Sequence, residues 1–136
     1  MKDNAFEKDL KHCRSELIIE CAFVTTRRVS LLLPLFVKLK KNRVRVVVNT
    51  RNHEEHDKYL EDEGRKSLAL LLSEGIQVIL TENVHRKTAI IDRQVLWEGS
   101  LNILSQNDSL EVMRRTESPK LAWEMVRFSK LDKLIN

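Results

Sequence analysis

Aromatic residues are scarce in this chain, with Phe, Trp and Tyr making up 5% of 136 residues. That counts, though only weakly, against a platform of rings on which nucleobases stack. Cysteine is nearly absent too. The two present, Cys13 and Cys21, fall in a helical pattern and in an apolar, strand-like run. No disulfide framework can be built around them, and a reduced, cytoplasmic protein is the expectation. No apolar run approaches the roughly 18 residues that a membrane-spanning helix needs. The longest, around Leu31 to Val37, is short and contains Pro34. The polar, acidic start (Met1-Lys2-Asp3-Asn4) is not the pattern of a signal peptide. There is no internal repeat and no low-complexity linker.

One tract lacks acids altogether. From Val24 to His53 there are eight basic residues (Arg27, Arg28, Lys38, Lys40, Lys41, Arg43, Arg45 and Arg51) and no Asp or Glu, although the net charge is only +4. The next ten residues reverse the sign, with six acids against one lysine. A solvated helix followed by an acidic helix start would account for this. So would a basic face for a polyanion, in which Arg27, Arg28, Arg51 and also Arg86 would contact nucleic acid.

What is present reads as one α/β domain over residues 1–136, large enough to bury roughly 68% of its unfolded surface. A helical pattern from about Asp3 to Arg14 leads into Glu16–Phe23, apolar on both faces and therefore a buried strand. Thr25 or Thr26 caps a helix to about Lys41, with a kink or break expected at Pro34. The β-branched run Arg43–Thr50 is the second strand. A helix from about Lys58 to Glu74 stops at Gly75, and Ile76–Thr81 is the third strand. Strand–helix–strand–helix–strand implies a parallel core. The pattern then changes. Lys87–Asp92 and Val95–Gly99 flank Arg93-Gln94 at hairpin spacing, though Arg-Gln is poor chemistry for a two-residue turn. A polar loop over Ser100–Asp108, a strand over Leu110–Arg115 and a closing helix from Pro119 to about Leu134 complete the reading.

The chemistry concentrates between His85 and Asn102. His85 and Lys87 are two apart and share a face if extended; Ser100 and Asn102 do the same after the hairpin returns, and Gly99 permits close approach of the backbone. An imidazole, an ammonium, a hydroxyl and an amide around one concavity suit a tetrahedral phosphoryl group. Two other histidine pairings carry less. His56-Asp57-Lys58, with Glu63 five beyond, mimics the spacing but has no Gly-Ser-x-Asn after it, and reads as a solvated loop. His53 and His56 enclose two glutamates without a nearby thiol, a poor zinc pattern. His12 lies on a helix beside Cys13.

The motif H-x-K-x4-D-x6-G-S-x-N, formed by His85, Lys87, Asp92, Gly99, Ser100 and Asn102, resembles the signature of the phospholipase D superfamily at every fixed position. At average composition such a match arises by chance with probability of order 10⁻⁶. The order of elements before it is similar as well. The run Leu-Trp-Glu-Gly-Ser-Leu-Asn-Ile-Leu-Ser looks most like phospholipase-D-like domains of bacterial helicase and restriction-type proteins, so the chain is read as a whole protein or as a domain of such a parent.

The resemblance implies a mixed, mostly parallel central sheet flanked by helices on both faces, with a C-terminal hairpin carrying the motif. It also implies a phosphodiesterase that needs no metal or other cofactor and works through a phosphohistidine on His85. A second, protonated histidine would serve the leaving group. Lys87, Ser100 and Asn102 would hold non-bridging oxygens, and an acid after the asparagine would orient the histidine. Glu111 is the best placed for that, ahead of Glu98 and Asp108; Asp92 and Gly99 are expected to be structural. Because one chain carries one motif, the resemblance implies a two-fold homodimer sharing one site. A nuclease acting on DNA, or on RNA, is the leading expectation. A catalytically idle nucleic-acid-binding module and a phospholipid hydrolase are the alternatives.

Overall fold

The computed structural model describes residues 4–52, 58–82, 84–100, 103–104 and 113–135. Helix α1 (Asn4–Lys11) precedes strand β1 (Glu16–Cys21), and α2 (Thr26–Lys41) leads to β2 (Arg45–Thr50). Helix α3 (Lys58–Ser73) precedes β3 (Gln77–Leu80). Then come β4 (Thr88–Ile91), β5 (Val95–Gly99), β6 (Met113–Glu117), α4 (Pro119–Phe128) and a 3₁₀ turn at Leu131–Lys133. The six strands form one sheet in the order β3-β2-β1-β4-β5-β6. It has two halves. β1, β2 and β3 are mutually parallel, whereas β4 runs antiparallel to β1 and is followed by the antiparallel β5 and β6.

Alternation along the strands splits the core into two layers. Leu17 and Ile19 of β1, Val46 and Val48 of β2 and Ala89 and Ile91 of β4 pack under Phe6, Leu10, Phe36 and Leu71 of α1, α2 and α3. Ile18, Val47, Ile90 and Leu96 face the other way, toward Ala122 and Val126 of α4 and toward Leu131 and Ile135. Strands apolar on both faces are what a sheet covered on both sides demands.

Several boundaries differ from the sequence reading, each for a local reason. Helix α1 ends at Lys11, so Cys13 lies beyond it, donating to the Glu16 carbonyl. Pro34 neither ends nor splits α2, which is continuous from Thr26 to Lys41. The proline and Ser30, whose carbonyl it leaves without an amide, are both exposed, so water can take that bond. Between β4 and β5 the loop has three residues, not two, since Ile91 pairs with Val95. Its turn is centred one residue early, on Asp92 and Arg93, both at positive φ, with Gln94 N donating to Ile91 O at 3.0 Å. β6 is described over Met113–Glu117, the part of the expected strand from Leu110 to Val112 lying outside the described residues, and α4 stops at Phe128. Lys130 then takes a left-handed conformation (φ 60°), returning Leu131 and Ile135 to the core.

Candidate active site at the carboxyl end of the sheet

β4 runs antiparallel to β1 with Thr88 opposite Glu20, so the segment leading into β4 lies at the carboxyl end of β1 and β2. Open α/β sheets gather ligands at that end. A cleft of about 440 Å³ opens there, lined by His85, Arg86, Lys87, Glu98, Gly99 and Arg114, with Thr88, Ser100 and Met125 completing the wall. His85 is exposed and Lys87 half-buried, its Nζ donating to the His85 carbonyl at 3.1 Å. Both residues precede β4, which starts at Thr88, yet both face this cleft. Gly99 N donates to Lys87 O at 3.3 Å, which brings Gly99-Ser100 beside the histidine and lysine.

Beneath the cleft lies a group that the periodicity concealed. Glu20, in the most buried strand, has 0% exposure. Its carboxylate accepts from Asn49 Nδ2 (2.9 Å), Thr88 Oγ1 (3.1 Å), Ser129 Oγ (3.0 Å) and Arg86 Nη2 (3.1 Å) and Nε (3.2 Å). Thr81 Oγ1 donates in turn to Asn49 Oδ1 at 2.6 Å. A buried carboxylate without partners would be costly, and here every surrounding group is a donor. Two of those donors, Arg86 and Thr88, flank Lys87, so Glu20 ties the motif segment to β1, β2 and the end of α4. The visible signal was an acid inside Ile-Ile-Glu-Cys, near the carboxyl end of a central strand.

Asp92, the motif aspartate, stands at the opposite end of the sheet. It accepts from the backbone amides of Arg14, Ser15 and Glu16 at 2.7–3.2 Å and from Ser15 Oγ at 2.9 Å. Burial opposes its ionisation, but the Glu16, Ser15 and Arg14 amides and the Ser15 hydroxyl outweigh it and hold the carboxyl below its ordinary value. The hairpin is thereby pinned to the entry of β1. Trp97 is held similarly, its indole donating to Asp9 at 2.8 Å and its ring meeting Phe6 edge-on.

The basic residues separate. Arg28 is not on a surface: it is 6% exposed and its Nε donates to Ile103 O at 2.7 Å. With Thr25 N donating to Leu104 O at 2.9 Å, it anchors the two residues that follow Asn102 in the chain. Arg86 lines the cleft but is held by Glu20; Arg27 is exposed and Arg51 half-buried. Arg43 and Arg45 lie at the amino end of β2, away from the cleft, in a second hollow with Glu16, Arg93 and Trp123. The basic tract is therefore not one face beside the site. Arg114, opposite Glu98 across β5 and β6, is a cleft cation that the sequence reading did not include. Asn102, Asp108, Glu111, His53 and His56 lie outside the described residues. His12 is on the other side of the molecule from α4, beyond the end of α1, its Nδ1 against Lys8 O at 2.7 Å. Cys13 and Cys21 are buried, and burial pushes both thiols up to about 12, which makes them poor nucleophiles at neutral pH. Among the described residues no cluster of metal-ligating side chains occurs, and no helix is long and apolar enough to cross a membrane.

This arrangement of a mixed sheet with a histidine–lysine segment at its carboxyl end defines a phospholipase-D-like domain. The family model described as "Cardiolipin synthase, PLD-like domain" matches residues 6–131, and the chain belongs to that phospholipase-D-like family. No curated protein sequence matches it. Among solved structures it is similar to Nuc from Salmonella typhimurium, a phospholipase D family member. The TM-score is 0.64 at 20% identity, covering 89% of this chain and 79% of that one. NucT from Helicobacter pylori is similar at TM-score 0.65 and 16% identity, covering 93% and 84%. TrmBL2, described as an archaeal chromatin protein with a novel mode of DNA binding, is similar at TM-score 0.61 and 9% identity, covering 96% and 48%. At these identities the likeness is one of fold.

Proposed function

We propose that the protein is a phosphodiesterase that cleaves nucleic acid, DNA before RNA, as an endonuclease at a site shared by two copies of the chain. The observation that carries this is the exposed His85 beside Lys87, Gly99 and Ser100 in a cleft whose other charged groups, among the described residues, are Arg86, Arg114 and Glu98. One ring nitrogen of neutral His85 attacks phosphorus, forming a P–N bond as the P–O bond to the leaving group breaks. A protonated histidine gives its proton to the departing oxygen. Water then attacks the phosphohistidine, passing a proton back to that second histidine and freeing His85. Lys87, Ser100 and Asn102 hold the non-bridging oxygens, and Glu111 orients the imidazole.

The second histidine is His85 of another copy. Among the described residues no other histidine lines the cleft. A homodimer with the two clefts on its axis supplies the pair, and helicase or ATPase domains of a longer parent would supply the strand to be cut. No metal or other cofactor takes part. Incubation with single- and double-stranded DNA in EDTA tests the reading. Cleavage is expected to persist with chelator and to disappear in His85→Ala. Full activity in a species that sediments as a monomer would overturn the shared site. The fold also occurs in TrmBL2, described as DNA-binding, which favours an idle binding module as the second reading; binding without cleavage is its signature.

A further inference from the structure

Phe128, the last residue of α4, is 71% exposed, an unusual position for the most apolar ring type. It is not an isolated surface ring. The Arg86 guanidinium lies over it, 5.4 Å from its centroid, and Arg86 is a wall of the cleft. Met125, one turn earlier on α4, is another part of that wall. The ring therefore stands at the rim of the cleft that holds His85 and Lys87. Its mount is rigid: Arg86 is fixed by two donors to the fully buried Glu20, and Ser129, the residue after Phe128, donates to the same carboxylate. One buried acid thus sets the ring, the stacked cation and the motif segment in register.

We propose that Phe128 is a stacking platform for a nucleobase of the strand whose phosphate enters the cleft, and that it selects unpaired nucleic acid. Lys87 and Arg114 attract the phosphates, and a base next to them falls on the ring. In a duplex both faces of each base are already covered by neighbours, so only a single strand or a frayed end can use the platform. Arg86 over the ring adds to its attraction for an electron-rich base plane. The inference deepens the nuclease reading of the same site and rests on it only for the identity of the polyanion.

Binding can be measured without turnover in the full chain carrying His85→Ala. The probes are a fluorescent oligothymidylate, an abasic oligomer of equal length and a blunt duplex. Adding Phe128→Ala should weaken oligothymidylate binding by about 5- to 100-fold, and Phe128→Trp should restore it. Affinity for the abasic oligomer and the duplex should stay within about twofold, because their contacts are to phosphate. Equal loss on all three probes, or no loss on any, would overturn the proposal. So would unchanged binding with a fall in sedimentation coefficient, which would assign the ring to a contact between copies. Cleavage assays with His85 intact separate the two ideas: base-dependent binding without cleavage defeats the nuclease reading alone, whereas cleavage with Phe128-independent binding defeats the platform alone.

Discussion

The two ends of the sheet carry hollows of nearly equal size, about 440 Å³ at the carboxyl end and about 460 Å³ at the amino end, and both are rich in arginine and carboxylate. Their charges are used differently. At the amino end the groups consume one another: Asp92 is filled by backbone amides, and Glu16 takes Arg93 at 2.7 Å and Arg45 at 3.7 Å. Arg93 also lies 4.4 Å from the Trp123 ring centroid, and its pairing with Glu16 raises its pKa further. At the carboxyl end Glu20 is buried beneath the cleft, where it pairs with one cation, Arg86, and with neutral donors, while Lys87 and Arg114 form no ion pair among the described residues. Residue types alone do not separate a structural cluster from a reactive one. The accounting of partners does.

The largest effect should come from the exposed imidazole of the cleft, His85. His85→Ala is expected to lower phosphodiester cleavage by at least about 10³-fold, with thermal unfolding unchanged because the side chain is exposed. A residual rate near wild type would make the carboxyl-end cleft no more reactive than its counterpart.

Next, Glu20→Ala should destabilise the fold by about 3–5 kcal/mol in urea unfolding, since it strands Arg86, Asn49, Thr88 and Ser129 around an empty site. A change below about 1 kcal/mol would mean that the donors find water instead.

Asp92→Asn acts at the other end and should cost about 1–3 kcal/mol while leaving cleavage intact below the unfolding range. Its pH dependence carries a sign. The folded carboxyl titrates below its ordinary value of 3.8, so its stabilisation is complete above the unfolded value and is lost as pH falls through the folded one. Stability measured below about pH 4 should therefore fall more steeply in wild type than in Asp92→Asn. Parallel curves would remove Asp92 from the account of acid unfolding.

The smallest effect sharpens the contrast most directly. Arg114→Ala should weaken oligonucleotide binding several-fold and reduce its logarithmic salt slope by about one, whereas Arg43→Ala at the amino end should change neither. Equal losses would show that the polyanion covers both ends.

Much of this was legible along the chain. The six motif residues are local in sequence, so the resemblance to the phospholipase D signature is visible without the fold. Strand cores announced themselves through β-branched runs, and Val95–Gly99 appears with the expected bounds. Helix and strand ends were less legible because they depend on tertiary partners: α4 stops where Lys130 must turn Leu131 back to the core, and the hairpin turn sits where Asp92 reaches the β1 amides. Arg28 reads as surface charge until Ile103 O is brought to it from 75 residues away. The scarcity of aromatics was a weak guide for the same reason, since one ring in the right place is enough for a platform.

The resemblance to the family, and the meeting of His85 and Lys87 with Gly99-Ser100 across one hairpin, could be read along the chain because those residues are close in sequence. Which charges remain available to a substrate could not. Arg86, Phe128 and Ser129 are distant in sequence from Glu20, and only the pairing of β4 with β1 and the return of the chain after α4 bring them to that buried carboxylate. Burial and pairing are properties of the folded surface, so they were decided there.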